Sequence, residues 1–563
     1  MRIFQVPKGT GTYADSLRAI GTANLLEEVG YTQTSIRDIG TQFQIECSSD
    51  LPPEQWKQPS PGFYYIWRKS KEREKPQGML VLDYEEEQVR VNANKKSSGK
   101  KKKKEIDKAI EEQGLAAVEN IHREYGPSAI LESMRKGWSS DKDIYHWVCQ
   151  NSTKALKWAQ NELGLVKQPA EIDPPQVSNS QFFNPASGKG VHASKTNYKS
   201  PGAISNEVIE PFAEWMKYRG AYNAMLPYRN GDDFKLFVIE PAEIGPKAIS
   251  ILREKLLDLR LWGGIRLRGG IRLDIEAALR LAEELIMHSD AVQDAAGKIS
   301  LRGHRPAEIV KGLRQAYFKS MGTAASLMND AFLPIPSWFC IENREDANSF
   351  IGIIREHIGY YENGQRKQGC LGSLDETHSG DVPILQQYRK WLTTGDILEL
   401  LDFLARFSVH AMERSGKKEW VKEFSTENLT ILFERGYDMK EIVENSGFLS
   451  IARGIRNCTI YAVSLREREP HFGLAQQWKQ KIKGGAGVFV PVLCDFVQTQ
   501  NWEVEHRLKG KGHSIKKDDL DLVIGLIEKH GVELVGMLLL AYGYARAPKI
   551  ETENPTTTNK EGR

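Results

Sequence analysis

The stretch NPASGKGVHASKTNYKSPG, Asn184 to Gly202, brings three lysines, a histidine, hydroxyls and amides together with no carboxylate. Two chemistries suit it: cradling a nucleoside triphosphate, or lying along a nucleic-acid backbone. A phosphate-cradling loop needs glycine, four residues, then Gly-Lys-Ser/Thr, placed between a strand and a helix. Here Gly188 and Lys189 are followed by Gly190, which has no hydroxyl for magnesium, and Phe183 stands where the first glycine belongs. The next helical pattern begins only near Asn206, so the nucleotide reading fails. A cation-bearing loop for nucleic acid remains. Lys189, Lys195 and Lys199 would neutralise phosphates, and Asn184 and Asn197 would hydrogen-bond base edges. Phe182, Phe183 and Tyr198 would stack on a base or wedge beside it. The competing expectation is a solvated surface loop.

Two more segments carry concentrated positive charge. RLWGGIRLRGGIRLDI, Arg260 to Ile275, holds GGIRL twice and spaces Arg266, Arg268 and Arg272 two or four apart. In an extended chain those guanidinium groups leave one face, where their forks suit phosphate oxygens or guanine edges. A hairpin whose arginines pair with nearby acids is the alternative. KKSSGKKKKKE contributes Lys95, Lys96, Lys100, Lys101, Lys102, Lys103 and Lys104. Such a run repels itself and suits a DNA backbone without sequence preference.

Catalytic constellations are not visible. No adjacent His-Asp pair, HExxH, GxSxG or GxGxxG occurs. NGDD, Asn230 to Asp233, has the look of the paired aspartates of polymerase palm domains, but it precedes the strand FKLFVIE rather than sitting between two strands and so reads as a polar turn. Cys340, His357, Cys370 and His378 could in principle bind zinc, but their spacings fit none of the usual paired patterns. The expectation is therefore no enzyme, no metal and no cofactor.

The elements that must position these segments fall into two textures. MRIFQV, FYYIWRK, GMLVLDY, QVRVNA and FKLFVIE read as strands. Helical spacing covers Glu105 to Tyr125, Ile144 to Leu163, Pro246 to Leu259, Ile275 to His288 and Ala307 to Phe318. From Pro383 onward, apolar residues recur at helical spacing almost continuously, with Thr426 and Asp518 where helix N-caps belong. The expected fold class is α+β: a mixed α/β domain over residues 1–382, with its basic loops at 95–104, 184–202 and 260–273. A helical bundle over 383–548 and a disordered tail over 549–563 follow.

With 563 residues and 40% hydrophobic content the chain can fill real cores, and its net charge of +3 leaves nucleic-acid binding to local clusters. Six scattered cysteines argue against a disulfide framework. Neither a signal peptide nor a membrane-length apolar run is visible, so the expected setting is cytoplasmic, without membrane contact.

LARFSVHAMERSG (404–416), STENLTILFERG (425–436), IVENSGFLSIARGIRNCTIYA (442–462) and LVGMLLLAYGYAR (534–546) follow one another in the helical half. With NPASGKGVHASKTNYKSPG and IEPFAEWMKYRGAYNAMLPY (209–228), this order resembles the large subunits of type I CRISPR Cascade complexes, the Cas eight family, nearest the I-A and I-B flavours. The resemblance spans roughly residues 180 to 546. It implies a C-terminal bundle like the complex's small subunits. It also implies a non-catalytic role in antiviral defense: reading the protospacer-adjacent motif, helping to open duplex DNA and stabilising the R-loop, while guide pairing reads the rest. The implied partners are double-stranded target DNA, CRISPR RNA, the repeated backbone subunit, the subunit at the RNA 5′ end and small subunits. A helicase-nuclease or a transposition protein would be recruited.

Carried onto this chain, motif reading falls to Asn184, Lys189, Lys195, Asn197 and Tyr198. Backbone contacts fall to the lysine run, Lys199 and the three arginines. Arg453, Arg456, Lys479, Lys481 and Lys483 would line the path of the displaced strand, with salt bridges as the competing account. An internal start at Met412 or Met439 would give a separate small subunit. Two alternatives stay open: an I-D-type large subunit with nuclease activity, and a scaffold protein binding RNA.

Overall fold

The structure, a computed structural model, describes residues 1–48, 50–68, 74, 81–84, 140–177, 180, 182–185, 209–230, 233–258, 270–293, 299–320, 325–362, 365–464, 469–509 and 512–548. It divides into two compact units, Met1–Leu267 with Ala277–Asn343, and Arg268–Glu276 with Arg344–Arg563. The main division thus falls at Asn343, ahead of the expected boundary at residue 382.

The first unit is built on two antiparallel sheets. β1 (Arg2–Pro7) and β3 (Gln42–Cys47) alternate in burial, as strands with one face on a core do. With β2 (Ser35–Asp38) and β8 (Glu243–Ile244) they form a sheet in the order β1-β3-β2-β8. The second sheet runs β10-β9-β7-β6, from β6 (Met225–Asn230), β7 (Asp233–Pro241), β9 (Val310–Ser320) and β10 (Ala325–Pro334). FYYIWRK and GMLVLDY contribute β4 (Tyr65–Trp67) and β5 (Val81–Asp83), a parallel pair. QVRVNA and the helical pattern from Glu105 to Tyr125 lie outside the described residues.

Two expectations need correction here. Ala307 to Phe318 is not one helix; a single helical turn, Pro306–Ile309, gives way at Val310 to strand β9. Lys311, Arg314 and Tyr317 recur every third position and mimic a helix. The segment is nevertheless a central strand between β7 and β10, with both faces covered. NGDD does sit between two strands: β6 and β7 pair antiparallel, with Asn230 opposite Asp233.

Helix α1 (Tyr13–Val29) starts where the Thr12 side chain accepts from the Ala14 N–H and stops at Gly30, whose φ of 125° suits glycine. It is buried on nearly every side, as a helix enclosed by other elements must be. α2 (Ser140–Gln150) and α3 (Ser152–Glu162) are separate helices where one pattern was read. α4 (Pro211–Ala224) packs on α1 through two glycines: a Cβ on Gly21 would overlap the Met216 carbonyl, and one on Gly220 the Leu17 carbonyl. Only a missing side chain lets the two backbones approach this closely. α5 (Pro246–Asp258) and α6 (Gly270–Met287) follow, and the division between units falls within α6 after Glu276.

The second unit is mostly helical. α7 (Arg344–Ile358) leads into the hairpin of β11 (Tyr360–Glu362) and β12 (Gln365–Lys367). α8 (Val382–Thr394), α9 (Ile397–Gly416), α10 (Thr426–Tyr437) and α11 (Ser446–Cys458) come next. α12 (Leu474–Lys483), α13 (Ala486–His506), α14 (Lys517–His530) and α15 (Val532–Gly543) complete the bundle. Ser425, one residue before the expected Thr426, caps α10 by accepting from the Asn428 N–H. At α14 the cap is Lys516 rather than Asp518. No described helix is long and apolar enough to cross a membrane.

Candidate nucleic-acid interface

In the second unit a cavity of about 960 Å³ opens among the β11–β12 hairpin, the turn Cys370–Ser373, the end of α9 and the chain that follows it. Arg272, Arg366, Lys367, Arg414, Lys422 and Arg546 line it, against only two carboxylates, Asp375 and Glu423. Glycines shape its hairpin wall. Gly359 sits at φ +81°, and a Cβ there would strike the Lys367 carbonyl. The strand ends cross only because that atom is missing.

The cations are held in different ways. Arg366 Nη2 donates to Glu276 Oε1 at 2.6 Å. Arg272 Nη1 donates to the Leu374 carbonyl at 2.9 Å, its backbone N–H donates to Glu376 Oε1 at 2.6 Å, and its charge acts on the Asp375 carboxyl. Arg414 Nε donates to the Trp420 carbonyl at 3.0 Å, and its Nη1 lies 3.4 Å from the Glu419 carboxylate. Lys422 and Arg546 meet no carboxylate within salt-bridge distance among the described residues. Trp420 itself is 47% exposed and rests near Gly372, where an added Cβ would lie 3.3 Å from the indole.

A Ser-His-Asp arrangement reaches the cavity through Ser373. His410 Nδ1 is 3.2 Å from Asp381 Oδ1, and its Nε2 is 3.2 Å from Ser373 Oγ. Burial lowers the His410 pKa against the opposing Asp381 charge. That favours a neutral ring. The order of groups is that of a hydrolase triad. The neighbouring backbone donors are committed, however: Gly372 N–H to the Gly369 carbonyl, Leu374 N–H to the Leu371 carbonyl, Asp375 N–H to Asp381. Such bonds leave these N–H groups turned away from any oxyanion beside Ser373.

The other candidate residues land in different places. Asn184 is buried in the first unit. Its Nδ2 donates to Glu214 Oε1 at 3.1 Å, and its Oδ1 accepts from Lys217 Nζ at 2.5 Å. Its assignment to base edges is corrected: a carboxylamide spent on a buried ion pair is a core brace. Phe183 is buried against Tyr218, and Phe182 packs on Phe234 and Phe318, so neither ring stands ready for a base. Lys189, Lys195, Asn197, Tyr198 and Lys199 lie outside the described residues, as do Lys95, Lys96, Lys100 to Lys104, Arg266 and Arg268.

In the bundle, Arg453 is exposed but Arg456 is buried, donating to the carbonyls of Ala545 at 2.6 Å and Tyr542 at 2.8 Å. Arg456 therefore ties α11 to the end of α15 and lines no strand path. Lys479 is ion-paired with Asp402 of α9. Against burial, which acts upward, Lys479 and Arg406 hold the Asp402 carboxyl below its ordinary value. Lys481 and Lys483 are exposed. Among the zinc candidates, Cys340 belongs to the first unit, Cys370 is buried and His378 is exposed. His357 shares a 2.7 Å hydrogen bond with the Tyr388 hydroxyl. Among the described residues no three potential ligands gather.

The sequence did carry one unused signal for this cavity. RSGKKEWVK, Arg414 to Lys422, interleaves an aromatic with cations, a pattern suited to nucleic acid. Arg272, Arg366 and Arg546 reach the cavity from distant parts of the chain. No protein-family model matches the sequence, and no curated protein matches it.

Proposed function

We propose that the chain is the large, DNA-binding subunit of a type I CRISPR RNA-guided complex and breaks no nucleic-acid bond itself. The observation that carries this reading is an α+β unit leading into a helical bundle that holds a cation-lined cavity with an exposed tryptophan. The sequence resemblance called for that order of parts. In this reading the lysine-bearing segment after Asn184 reads a short motif on duplex DNA. The lysine run grips the backbone, and the bundle supports a separated strand. Charge supplies affinity and a few base contacts supply choice.

The test is the full chain with its copurifying partners. A small RNA and a repeated backbone subunit should accompany it, and one short motif beside the target should raise duplex affinity over scrambled flanks. Replacing Lys189, Lys195, Asn197 and Tyr198 by alanine should erase that preference and spare most salt-dependent binding. A chain that copurifies with no RNA and binds every flank alike would overturn the proposal.

A further inference from the structure

We infer that the cavity of the second unit binds single-stranded nucleic acid, with a base stacked on Trp420 and phosphates held by Lys422, Arg546 and Arg272. The inference rests on the nucleic-acid reading above but uses none of its motif-reading residues.

Three observations converge on it. The first is charge. Six cations against two carboxylates make a cleft with an excess of positive charge, and low-dielectric walls concentrate such a field on an anion inside. Lys422 and Arg546 stand in no salt bridge among the described residues, though the Lys422 charge acts on the Glu356 carboxyl, and Arg272 donates its guanidinium to a neutral carbonyl. With Arg366, Lys367 and Arg414 paired to acids, Arg272, Lys422 and Arg546 remain outside salt bridges and face the lining carboxylates Asp375 and Glu423.

The second is the ring. Trp420 is 47% exposed, although the described tryptophans Trp215, Trp391 and Trp478 are almost fully buried. It stands between Arg414 and Lys422 in sequence, and Gly372 supplies the small residue on which it leans. An exposed indole set among cations is a stacking platform, and every base offers it a π-face. Tyr360 adds a second aromatic to the lining.

The third is selectivity by form. In a duplex the bases are stacked on one another and present only their edges, so a platform inside a cleft has no face to receive. A cavity of about 960 Å³ suits a short run of unpaired nucleotides. An acidic peptide would answer to the cations but not to the ring.

The test uses the full chain and fluorescently labelled dT12, rU12, a twelve-base-pair duplex without any motif, and inorganic tripolyphosphate as competitor. Both single strands should bind, and W420A should weaken them by roughly 5- to 150-fold, the loss of one stacked base. W420F should recover most of that loss. K422A and R546A should each lower the salt slope for dT12 by about 0.7. W420A should leave the slope alone. Binding of dT12 without rU12, or the reverse, identifies the strand type and supports the site equally.

Unchanged affinity in W420A, with K422A also silent, would overturn the inference. So would equal losses for duplex and single strand, or complete displacement by tripolyphosphate at matched phosphate concentration. Because Trp420 is exposed, W420A should melt with the parent chain, and K422A covers the case in which it does not. Motif preference on duplex DNA, measured on the same variants, separates this site from the proposed function. Strand binding that survives the substitutions, with motif preference intact, sinks the cavity alone; strand binding lost in them, in a chain that shows no motif preference, sinks the motif reading alone.

Discussion

Buried ionisable groups set the behaviour expected of single residues. His357 is enclosed beside Tyr388, and burial brings its pKa down to about 3. The unfolded chain then binds a proton near pH 6.5 that the folded unit refuses, so stability rises with pH between about 3 and 6.5. Acidification from pH 7.5 to 4.5 should destabilise the second unit, with His357 contributing on the order of a few kcal/mol. Urea unfolding of H357Q should show a flatter pH dependence than the parent. Identical slopes would remove His357 as the cause.

Arg219 offers a second test at this scale. Its Nη2 sits 2.5 Å from Glu28, and its Nη1 donates to the Ser60 carbonyl at 2.7 Å. R219M should cost about 3 kcal/mol, the low end for a broken buried pair because Glu28 keeps some water. R219M/E28Q should recover part of it in denaturant titrations. Ser373 should not react with a fluorophosphonate beyond a denatured control, because the N–H groups beside it are engaged. Labelling that depends on His410 would instead make the chain a serine hydrolase. None of these groups was legible beforehand: Ser373, Asp381 and His410 come from a turn, a cap and a mid-helix position, joined only by folding.

Among elements, the α1–α4 crossing carries the sharpest expectation. G21A or G220A should destabilise the first unit by about 1–3 kcal/mol or more, since backbone carbonyls stand where the methyl must go. Gly9 has open space around it and serves as the control substitution. Matching urea midpoints for G21A and G9A would contradict the crossing. The helices of the second unit were legible because their apolar spacing is long and sustained. β9 was not, because a strand covered on both faces loses the alternation that marks a half-buried one. Asn184 misled for a related reason: polar neighbours in sequence concealed a buried Glu214–Lys217 pair thirty residues away in the chain.

For the whole molecule, composition and order of texture were enough to anticipate α+β followed by a bundle, though not the division at Asn343. That boundary eluded the sequence because α7 and the β11–β12 hairpin belong with the helices while their local texture is mixed. The lysine run tests the molecule as a polyelectrolyte. Neutralising Lys95 to Lys104 should weaken all duplexes alike and flatten the salt slope by about 0.9 per lost phosphate contact. An unchanged slope would leave that arm without a part in binding.

The exposure of Trp420 also has an optical consequence. Of the described indoles only Trp420 and Trp502 stand more than a third open to solvent, and Trp502 stacks on His506 at 4.9 Å. In a W138F/W262F/W502F background, which also removes the two indoles outside the described residues, acrylamide would therefore extinguish emission chiefly from the cavity ring. Any occupant could then be followed by the shielding it gives, without a dye on either molecule.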